Sequence, residues 1–223
     1  MGIFEAVFDV FYLVSVIWLS ILMIKEGKKG SLVWLFGLMG LILGAGDSFH
    51  LLPRITSQLT NDFASHAFAL GYGKMVTSIT MTIFYVILYR IWEIRNGKAP
   101  QLGMRVIMAV LAGIRVVLSL MPQNNWAQLS GSYVWGIYRN IPFTIMGVLI
   151  VWLILKEAIA KKDKTFMKIG VAVIVSFACY IPVVLFAAQV PAVGALMMPK
   201  TVAYLMVVVF AYQAMKANTL KTL

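Results

Sequence analysis

The sequence predicts an all-α fold, a polytopic membrane protein in which seven transmembrane helices form one bundle and one domain, residues 1–223. Three observations support this prediction. Hydrophobic residues make up 61% of the chain, whereas ~45–50% is usual in soluble domains. The mean hydropathy is +0.90. The apolar residues also fall into seven runs, each close to the ~20 residues with which a helix crosses a bilayer.

Each predicted span ends where a short polar or basic connection begins. In order, the spans are roughly 4–24, 31–52, 70–92, 103–121, 135–155, 166–189 and 195–215. The connections are KEGKKG, a polar stretch around 53–69, EIRNGKAPQLG, MPQNNWAQLSGS, KEAIAKKDKT and a turn near QVPAVG. Pro53 predicts an end or a kink of the second helix, and Pro142 is expected in the first turn of the fifth. No connection is long enough to form a second domain.

The composition excludes several kinds of protein and site. The single cysteine, Cys179, excludes an intrachain disulfide framework and a cysteine-based zinc site. Glu5 and Asp9 occupy the place of a basic leader, so we expect no cleavable signal peptide. The net charge of +11 predicts basic loops beside a membrane rather than a nucleic-acid partner, because the basic residues border the spans.

The basic residues also predict the orientation of the chain. Fourteen of the 19 Lys and Arg residues lie in the odd-numbered connections and the C-terminal tail. They are Lys25, Lys28, Lys29, Arg90, Arg95, Lys98, Arg105, Lys156, Lys161, Lys162, Lys164, Lys168, Lys216 and Lys221. The positive-inside rule therefore predicts an external N-terminus and a cytoplasmic C-terminus, as in a multi-pass protein of a bacterial cytoplasmic membrane.

The remaining five basic residues lie within or beside the apolar spans, and the predicted topology puts them all toward the outer side. They are Arg54, Lys74, Arg115, Arg139 and Lys200. Charge at such depth is costly and usually functional. Fewer acids are predicted near them, so the region is net positive unless an anion fills it. Lys and Arg clusters suit phosphate and carboxylate groups, which predicts a pocket for a membrane-lipid headgroup or for a small anion.

The second span supplies the candidate catalytic residues. Asp47, His50 and Arg54 are spaced i, i+3 and i+7, which places them on one helical face. Gly44 and Gly46 allow a neighbouring helix to approach closely. Because a buried Asp and a near-neutral His are suited to acid–base work, we assign Asp47 to position or deprotonate water, with His50 as a second acid or base. A structural ion pair between helices is the alternative.

The candidate substrate-binding residues come from five spans. They are Arg54, Lys74, Arg115, Arg139, Asn140, Lys200 and Tyr204. Arg115 is expected to need an acidic partner, for which Asp9 and Asp47 are the natural candidates. Lys200 and Tyr204 share a helical face. The alternatives are that Lys74 extends to the membrane surface and that Arg139 lies at the rim.

No cofactor is predicted, although one metal set is an alternative. Asp47, His50 and His66 are residue types that zinc accepts as ligands and could be used to activate water. The basic residues expected nearby argue against it, because they repel a divalent cation.

The run LGAGDSFHLLPR resembles a stretch of the lysoplasmalogenase family, multispan enzymes that cleave the vinyl-ether bond of lysoplasmalogens. The matching residues are Gly46, Asp47, Leu51, Leu52, Pro53 and Arg54. This resemblance implies a lipid hydrolase, with Asp47 as the catalytic carry-over. In topology the chain is also similar to the alkaline ceramidases, seven-span hydrolases with an Asp/His metal site, but it lacks their third histidine. The lysine of the seventh span is similar to that of rhodopsins, but the third span has no acidic counter-ion.

The function predicted from these features is that of a membrane-embedded, hydrolase-like protein. It would act on a lipid or lysophospholipid through a polar, basic pocket in the extracytoplasmic half. The alternatives are a transporter or receptor for a small anionic solute, and a structural membrane protein with a buried ion-pair network. The sequence leaves open whether the protein is an enzyme, and which oligomeric state it adopts.

Overall fold

The seven predicted spans are α-helices in the computed structural model, which describes residues 2–97, 101–129 and 131–220. The helices are α1 (Gly2–Glu26), α2 (Leu32–Thr60), α3 (Ala67–Arg95), α4 (Leu102–Leu120), α5 (Tyr133–Ala160), α6 (Lys164–Phe186) and α7 (Met197–Lys216). Short 3-10 turns, Pro122–Asn124 and Pro191–Leu196, precede α5 and α7. All seven helices are long and apolar enough to cross a membrane, and the described ranges contain no β-strand. The all-α, seven-helix membrane architecture is therefore confirmed.

Two of the basic residues that predict the orientation, Lys98 and Lys221, lie outside the described residues. The orientation itself stays a prediction, because it depends on the distribution of charge along the chain rather than on the packing of the helices.

The second helix is longer than predicted, because Pro53 lies inside it. A proline within a helix removes one backbone donor and costs stability. Contacts with α1 stabilise the segment that follows: Arg54 donates to the carboxylate of Glu5 at 3.0 Å, and Gln58 donates to the same carboxylate. The helix ends at Asn61, which adopts the left-handed conformation typical of helix termini. The predicted end at residue 52, and the polar connection from residue 53, are therefore wrong.

Two further prolines lie inside helices. Pro142 belongs to the interior of α5, which begins at Tyr133, so its expected place in the first turn is wrong. Pro182 lies inside α6. Each removes one backbone hydrogen bond from its helix, and α5 and α6 pack against each other.

The helices form a closed ring. Each one packs against its neighbours in the chain, and α1 also packs against α7. Two further pairs, α3 with α5 and α2 with α7, cross the interior of the ring. Because the connections are short, neighbouring helices run in opposite directions. One end of the bundle, which we call the cavity end, therefore holds the ends of α2, α4 and α6 and the beginnings of α3, α5 and α7.

Close contact between α2 and its neighbours depends on small residues. Gly44 faces Ile17 of α1, and Gly46 faces the side chain of Thr80 in α3. Gly73 of α3 in turn lies against the backbone of Phe49 and His50. As expected from the sequence, the glycines of α2 thus allow close packing on two sides, which is the usual role of small residues between membrane helices.

The opposite end of the bundle is held together by ion pairs. They are Arg90–Glu93, Arg105–Glu93, Arg95–Asp163 and Lys216–Glu26, with N···O distances of 2.8 to 3.1 Å. The Arg95–Asp163 pair is more buried than the other three, because its two side chains are only 9% and 10% exposed. Four basic residues at this end, Arg90, Arg95, Arg105 and Lys216, therefore have acidic partners, and these pairs join α3 to α4, α3 to the start of α6, and α1 to α7.

An aromatic cluster fills the interior between the two ends. Phe143 packs edge-on against Tyr85, with ring centroids 5.0 Å apart, and lies 5.2 Å from the ring of Phe177. The hydroxyls of Tyr85 and Tyr204 lie 3.2 Å apart. This cluster joins α3, α5, α6 and α7, and it forms a rigid floor beneath the cavity end.

The packing of α3 on α2 makes a stability prediction. A Cβ at Gly73 would collide with the backbone of Phe49 and His50, whereas a Cβ at Gly113 in α4 would meet open space. We expect Gly73→Ala to destabilise the protein by about 1–3 kcal/mol through overpacking. Gly113→Ala should instead stabilise it by about 0.5–1 kcal/mol, because alanine loses less backbone entropy in a helix. Thermal unfolding of both variants in the same detergent measures the difference, and equal midpoints would contradict the close packing.

Candidate functional site

A cavity of about 630 Å³ opens at the cavity end of the bundle. Six helices, α2 to α7, contribute to its walls. The predicted site residues among its lining are His50, Arg54, Lys74, Arg115, Arg139, Asn140, Lys200 and Tyr204. The structure therefore brings together every predicted substrate-binding residue, and one of the two predicted catalytic residues.

The charge of this cavity is one-sided. Its five basic residues come from five different helices, and none of the described residues that line it is an Asp or Glu. Arg54 is the one that has a carboxylate partner, Glu5 of α1, at 3.0 Å. For the other four basic residues, no carboxylate lies within 4.0 Å in the described parts of the chain.

Arg115 is the most deeply buried of these basic residues. Only 2% of it is exposed, and its guanidinium carbon lies 3.3 Å from the centre of the Phe143 ring. Contact with an aromatic face stabilises a cation, but it does not satisfy hydrogen-bond donors at the guanidinium edge. Within the described residues, its Nε and Nη1 atoms have no hydrogen-bond partner although both are buried.

The expected pairing of Arg115 with Asp9 or Asp47 is wrong, and the order of the helices explains why. Arg115 is on α4, which packs against α3 and α5, whereas both acids are on α1 and α2. Asp47 instead accepts a hydrogen bond from the hydroxyl of Tyr12 at 2.6 Å. Asp9 is 7% exposed, and its Oδ2 atom lacks a hydrogen-bond partner among the described residues.

Arg139 is positioned by the loop between α4 and α5. It donates to the side-chain oxygen of Asn124 at 2.7 Å and lies 4.4 Å from the centre of the Trp126 ring. Asn124 is fully buried, and its amide nitrogen donates to the carbonyl oxygens of Leu118 and Met121 at the end of α4. One asparagine thus satisfies the end of a helix and fixes a cavity arginine.

The two lysines of the cavity are held more loosely. The Lys200 ammonium lies 5.2 Å and 5.3 Å from the ring centres of Tyr180 and Tyr204, which confirms that Lys200 and Tyr204 share a face. Lys74 is exposed, and its neighbouring charges are Arg139 and Arg54, which repel it. Both ammonium groups are therefore available to an anion that enters the cavity.

The two candidate catalytic residues lie on different sides of α2. His50 lines the cavity, and its Nδ1 atom is 3.3 Å from the carbonyl oxygen of Leu70. Asp47 faces α1 through its bond with Tyr12 and is absent from the cavity lining among the described residues. Of the two candidate catalytic residues, His50 therefore lines the cavity and Asp47 lies beside it.

The alternative metal set is not brought together. His66 lies in the turn before α3, where its Nδ1 atom is 2.8 Å from the carbonyl oxygen of Asp62. Across the parts of the chain that the structure describes, no three His, Cys, Asp or Glu side chains are grouped as metal ligands would be. Asp47, His50 and His66 therefore do not form a ligand set.

Several residues of the site were not predicted from the sequence. Tyr180 of α6 donates to the side-chain oxygen of Asn140 at 2.8 Å, and it lines the cavity. Phe143 supports Arg115, and Asn124 positions Arg139. One signal was present in the sequence: Asn140 and Tyr180 each stand two residues before a proline, in neighbouring spans.

This arrangement favours the binding of an anion. Among the described residues, four of its basic groups have no carboxylate within 4.0 Å, and Arg115 at the floor has two buried donor atoms without hydrogen-bond partners. Guanidinium and ammonium groups bind phosphate and carboxylate through charge-assisted hydrogen bonds, which are about twice as strong as neutral ones. Removal from water strengthens each of these interactions further.

Comparison with known proteins identifies no relative: no protein-family model, no curated protein and no solved structure matches this chain.

The contrast between Arg115 and Arg95 makes a second prediction. Arg95→Met breaks the enclosed pair with Asp163 and should cost about 3–5 kcal/mol, because the largely buried carboxylate loses its cation and keeps only the backbone donors of Thr165 and Phe166. Arg115→Met loses its contact with the Phe143 ring, worth about 2 kcal/mol, but it also removes buried donors that have no partner. We therefore expect a clearly smaller loss, measured by thermal unfolding without added anion. An equal loss in both variants would mean that Arg115 has a stabilising partner of its own.

Proposed function

We propose that the protein binds the anionic headgroup of a membrane lipid or lysophospholipid in the basic cavity. One observation carries this proposal: Arg115 is 2% exposed, lines the cavity, and has two buried donor atoms without partners among the described residues. A buried donor without a partner costs about 1–3 kcal/mol, and more if it is charged. A bound phosphate or carboxylate oxygen would offset that cost.

The charges around Arg115 support the same conclusion. Lys74, Arg139 and Lys200 line the cavity from three other helices, and their mutual repulsion is unfavourable while the cavity holds no anion. Arginine offers a planar fork of donors, and lysine offers a compact point charge. The combination suits a group with several anionic oxygens.

The form of the cavity supports an amphiphilic ligand. A volume of about 630 Å³ falls within the ~300–1,000 Å³ typical of small-molecule sites. Part of the cavity wall is apolar and includes Met81, Val183, Val184 and Met197. A ligand with an anionic group and a hydrocarbon part would contact both kinds of wall. A free anionic solute shares the headgroup chemistry, so the first experiment below compares the two.

The location of the site belongs to the same proposal. The distribution of basic residues along the sequence supports a cytoplasmic position for the end opposite the cavity. The cavity would then open on the extracytoplasmic side, and in a bacterium the membrane concerned would be the cytoplasmic membrane.

Hydrolysis of the bound lipid is the second candidate, favoured by the position of His50. An imidazole in the wall of the headgroup cavity is a suitable general acid or base. Asp47 lies one turn earlier on α2, where it accepts a hydrogen bond from Tyr12. It would orient polar groups beside the cavity, or it would reach the substrate after breaking its hydrogen bond with Tyr12. The resemblance of this segment to the lysoplasmalogenase family supports the same chemistry on a lysolipid.

Binding is tested most cleanly with Lys74→Gln, because the Lys74 ammonium has no hydrogen bond or ion pair with the residues that the structure describes. We expect the affinity for 1-palmitoyl-lysophosphatidylglycerol to fall about tenfold, since a hydrogen bond to a charged group is worth about 1.5–3 kcal/mol. Lys161→Gln, at an exposed position at the other end of the bundle, should bind like the wild type. Native mass spectrometry of protein titrated with this lysolipid gives the affinities.

The same titration with sn-glycerol 3-phosphate separates the two sources of the anion. Tight binding of the lysolipid and weak binding of glycerol phosphate support a lipid ligand, whereas equal affinities support a free anionic solute. If Lys74→Gln and Lys161→Gln both bind the lysolipid as the wild type does, the headgroup site is not in this cavity.

Hydrolysis is tested by Asp47→Asn and His50→Gln. If the protein is a lysolipid hydrolase, each substitution should lower turnover at least about 100-fold, the usual contribution of a general acid or base, without loss of folding. Release of fatty aldehyde from a lysoplasmalogen, or of fatty acid from a lysophospholipid, measures turnover. Asp62→Asn, in the exposed turn between α2 and α3, is the matched control. Full turnover of the Asp47→Asn variant would exclude that residue from the chemistry.

A further inference from the structure

Two apolar grooves run along the face between α5 and α6, and together they extend the cavity. The first, of about 240 Å³, shares Asn140, Tyr180 and Val184 with the basic cavity. The second, of about 640 Å³, shares Thr144 and Ile181 with the first and continues along α5 as far as Ile159. An apolar path therefore leads from the cavity to the far end of α5.

This continuity distinguishes the α5–α6 face from other apolar grooves of the bundle. A groove of about 660 Å³ lies between α6 and α7, and one of about 390 Å³ lies between α1 and α2. Neither has a lining residue in common with the basic cavity. Hydrocarbon chains of the bilayer will cover all of these faces, but a chain on the α5–α6 face is the one that reaches the basic groups.

The boundary between cavity and groove is formed by Asn140, Tyr180 and Val184, and the first two of these are joined by a hydrogen bond. The Tyr180 hydroxyl donates to the side-chain oxygen of Asn140 at 2.8 Å, and both residues line both spaces. Closer to the ends of the helices, the hydroxyl of Tyr133 donates to the carbonyl oxygen of Leu185 at 2.9 Å. The lateral wall of the cavity is thus closed by two hydrogen bonds between α5 and α6.

Both helices are locally weakened beside this boundary. Pro142 follows Asn140 by two residues, and Pro182 follows Tyr180 by two residues. An interior proline removes one backbone hydrogen bond and is the commonest site of bending in a helix. Separation of α5 from α6 at this level therefore costs less than it would between two uninterrupted helices.

We infer that the cavity takes a single-chain anionic amphiphile, whose hydrocarbon chain lies in the α5–α6 groove and whose headgroup passes from the bilayer into the cavity between Asn140 and Tyr180. This inference rests on the proposed headgroup site and adds to it the number of chains and the route. The first groove is small, below the ~300 Å³ of most small-molecule sites, and therefore fits one chain beside the boundary rather than two.

The length of the path agrees with this assignment. From Asn140 to Ile159 the helix rises roughly 29 Å at 1.5 Å per residue, close to the ~30 Å thickness of a bilayer's hydrocarbon core. A chain from one leaflet reaches about half that depth. It can therefore lie wholly within the groove while its headgroup occupies the cavity.

The test uses a matched pair of tryptophan substitutions. Ile141 is 52% exposed and lines the first groove but not the cavity. Val202 is 41% exposed and lines the separate α6–α7 groove. We expect Ile141→Trp to lower the affinity for 1-palmitoyl-lysophosphatidylglycerol about tenfold by filling the groove, with the affinity for sn-glycerol 3-phosphate unchanged. Val202→Trp should change neither affinity.

The outcomes separate this inference from the headgroup proposal. If Lys74→Gln weakens lysolipid binding but Ile141→Trp does not, the headgroup site stands and the chain route is wrong. If the wild type does not bind the lysolipid, or Lys74→Gln binds it normally, the headgroup proposal fails and the inference fails with it.

A second measurement uses the unmodified protein, so its result does not depend on whether a variant folds. A lysophosphatidylglycerol with a diazirine in the middle of its chain should, on irradiation, attach to peptides from 141–155 of α5 and 174–181 of α6. Attachment mainly to α1, α4 or α7 would overturn the chain route.

Discussion

The guanidinium of Arg115 lies on the ring of Phe143, and much of the cavity depends on this contact. Phe143 is fixed by Tyr85 and Phe177, so the arginine rests on a floor that joins four helices. An arginine so placed keeps its charge in an apolar interior because an aromatic face supports it on one side. Arg115 also lines the polar cavity, where four other basic residues and Asn140 converge.

The two ends of the bundle differ in whether their buried and half-buried basic residues have carboxylate partners. At one end, arginines and a lysine meet Glu93, Asp163 and Glu26 within 2.8 to 3.1 Å, and the result is a set of ties between helices. At the cavity end, Arg54 has a carboxylate partner, and no carboxylate lies within that reach of the other four within the described residues. Stability alone does not account for such an excess of charge, because like charges repel one another and Arg115 is buried. The proposed binding of an anion would account for it.

The architecture was predictable because the apolar runs are long and the charges between them are few. The convergence of five cations followed from the predicted topology, which put Arg54, Lys74 and Lys200 at the same side of the membrane. The partners of those cations were not predictable. Whether Arg115 meets Asp9 depends on which helices are neighbours, and spacing along the chain does not reveal the order around a ring.

The separation of Asp47 from His50 has a similar cause. Residues three apart on a helix differ by about 60° in direction, from 3.6 residues per turn, and α2 contacts α1, α3 and α7. Two residues that the sequence places on one helical face can therefore contact different neighbours. Here Asp47 accepts a hydrogen bond from Tyr12 of α1, whereas His50 lines the cavity. Pro53 shows the same limit: the local rule predicts an end or a kink of the helix, and the helix continues past Pro53, where Arg54 and Gln58 contact Glu5.

The carboxylate of Glu5 would compete with a bound anion for Arg54. It forms an ion pair with Arg54 and also accepts a hydrogen bond from Gln58. If the proposed ligand uses Arg54, it has to displace Glu5, and its net affinity is lower by the free energy of that ion pair. Occupancy of the cavity would then weaken the attachment of α1 to the end of α2.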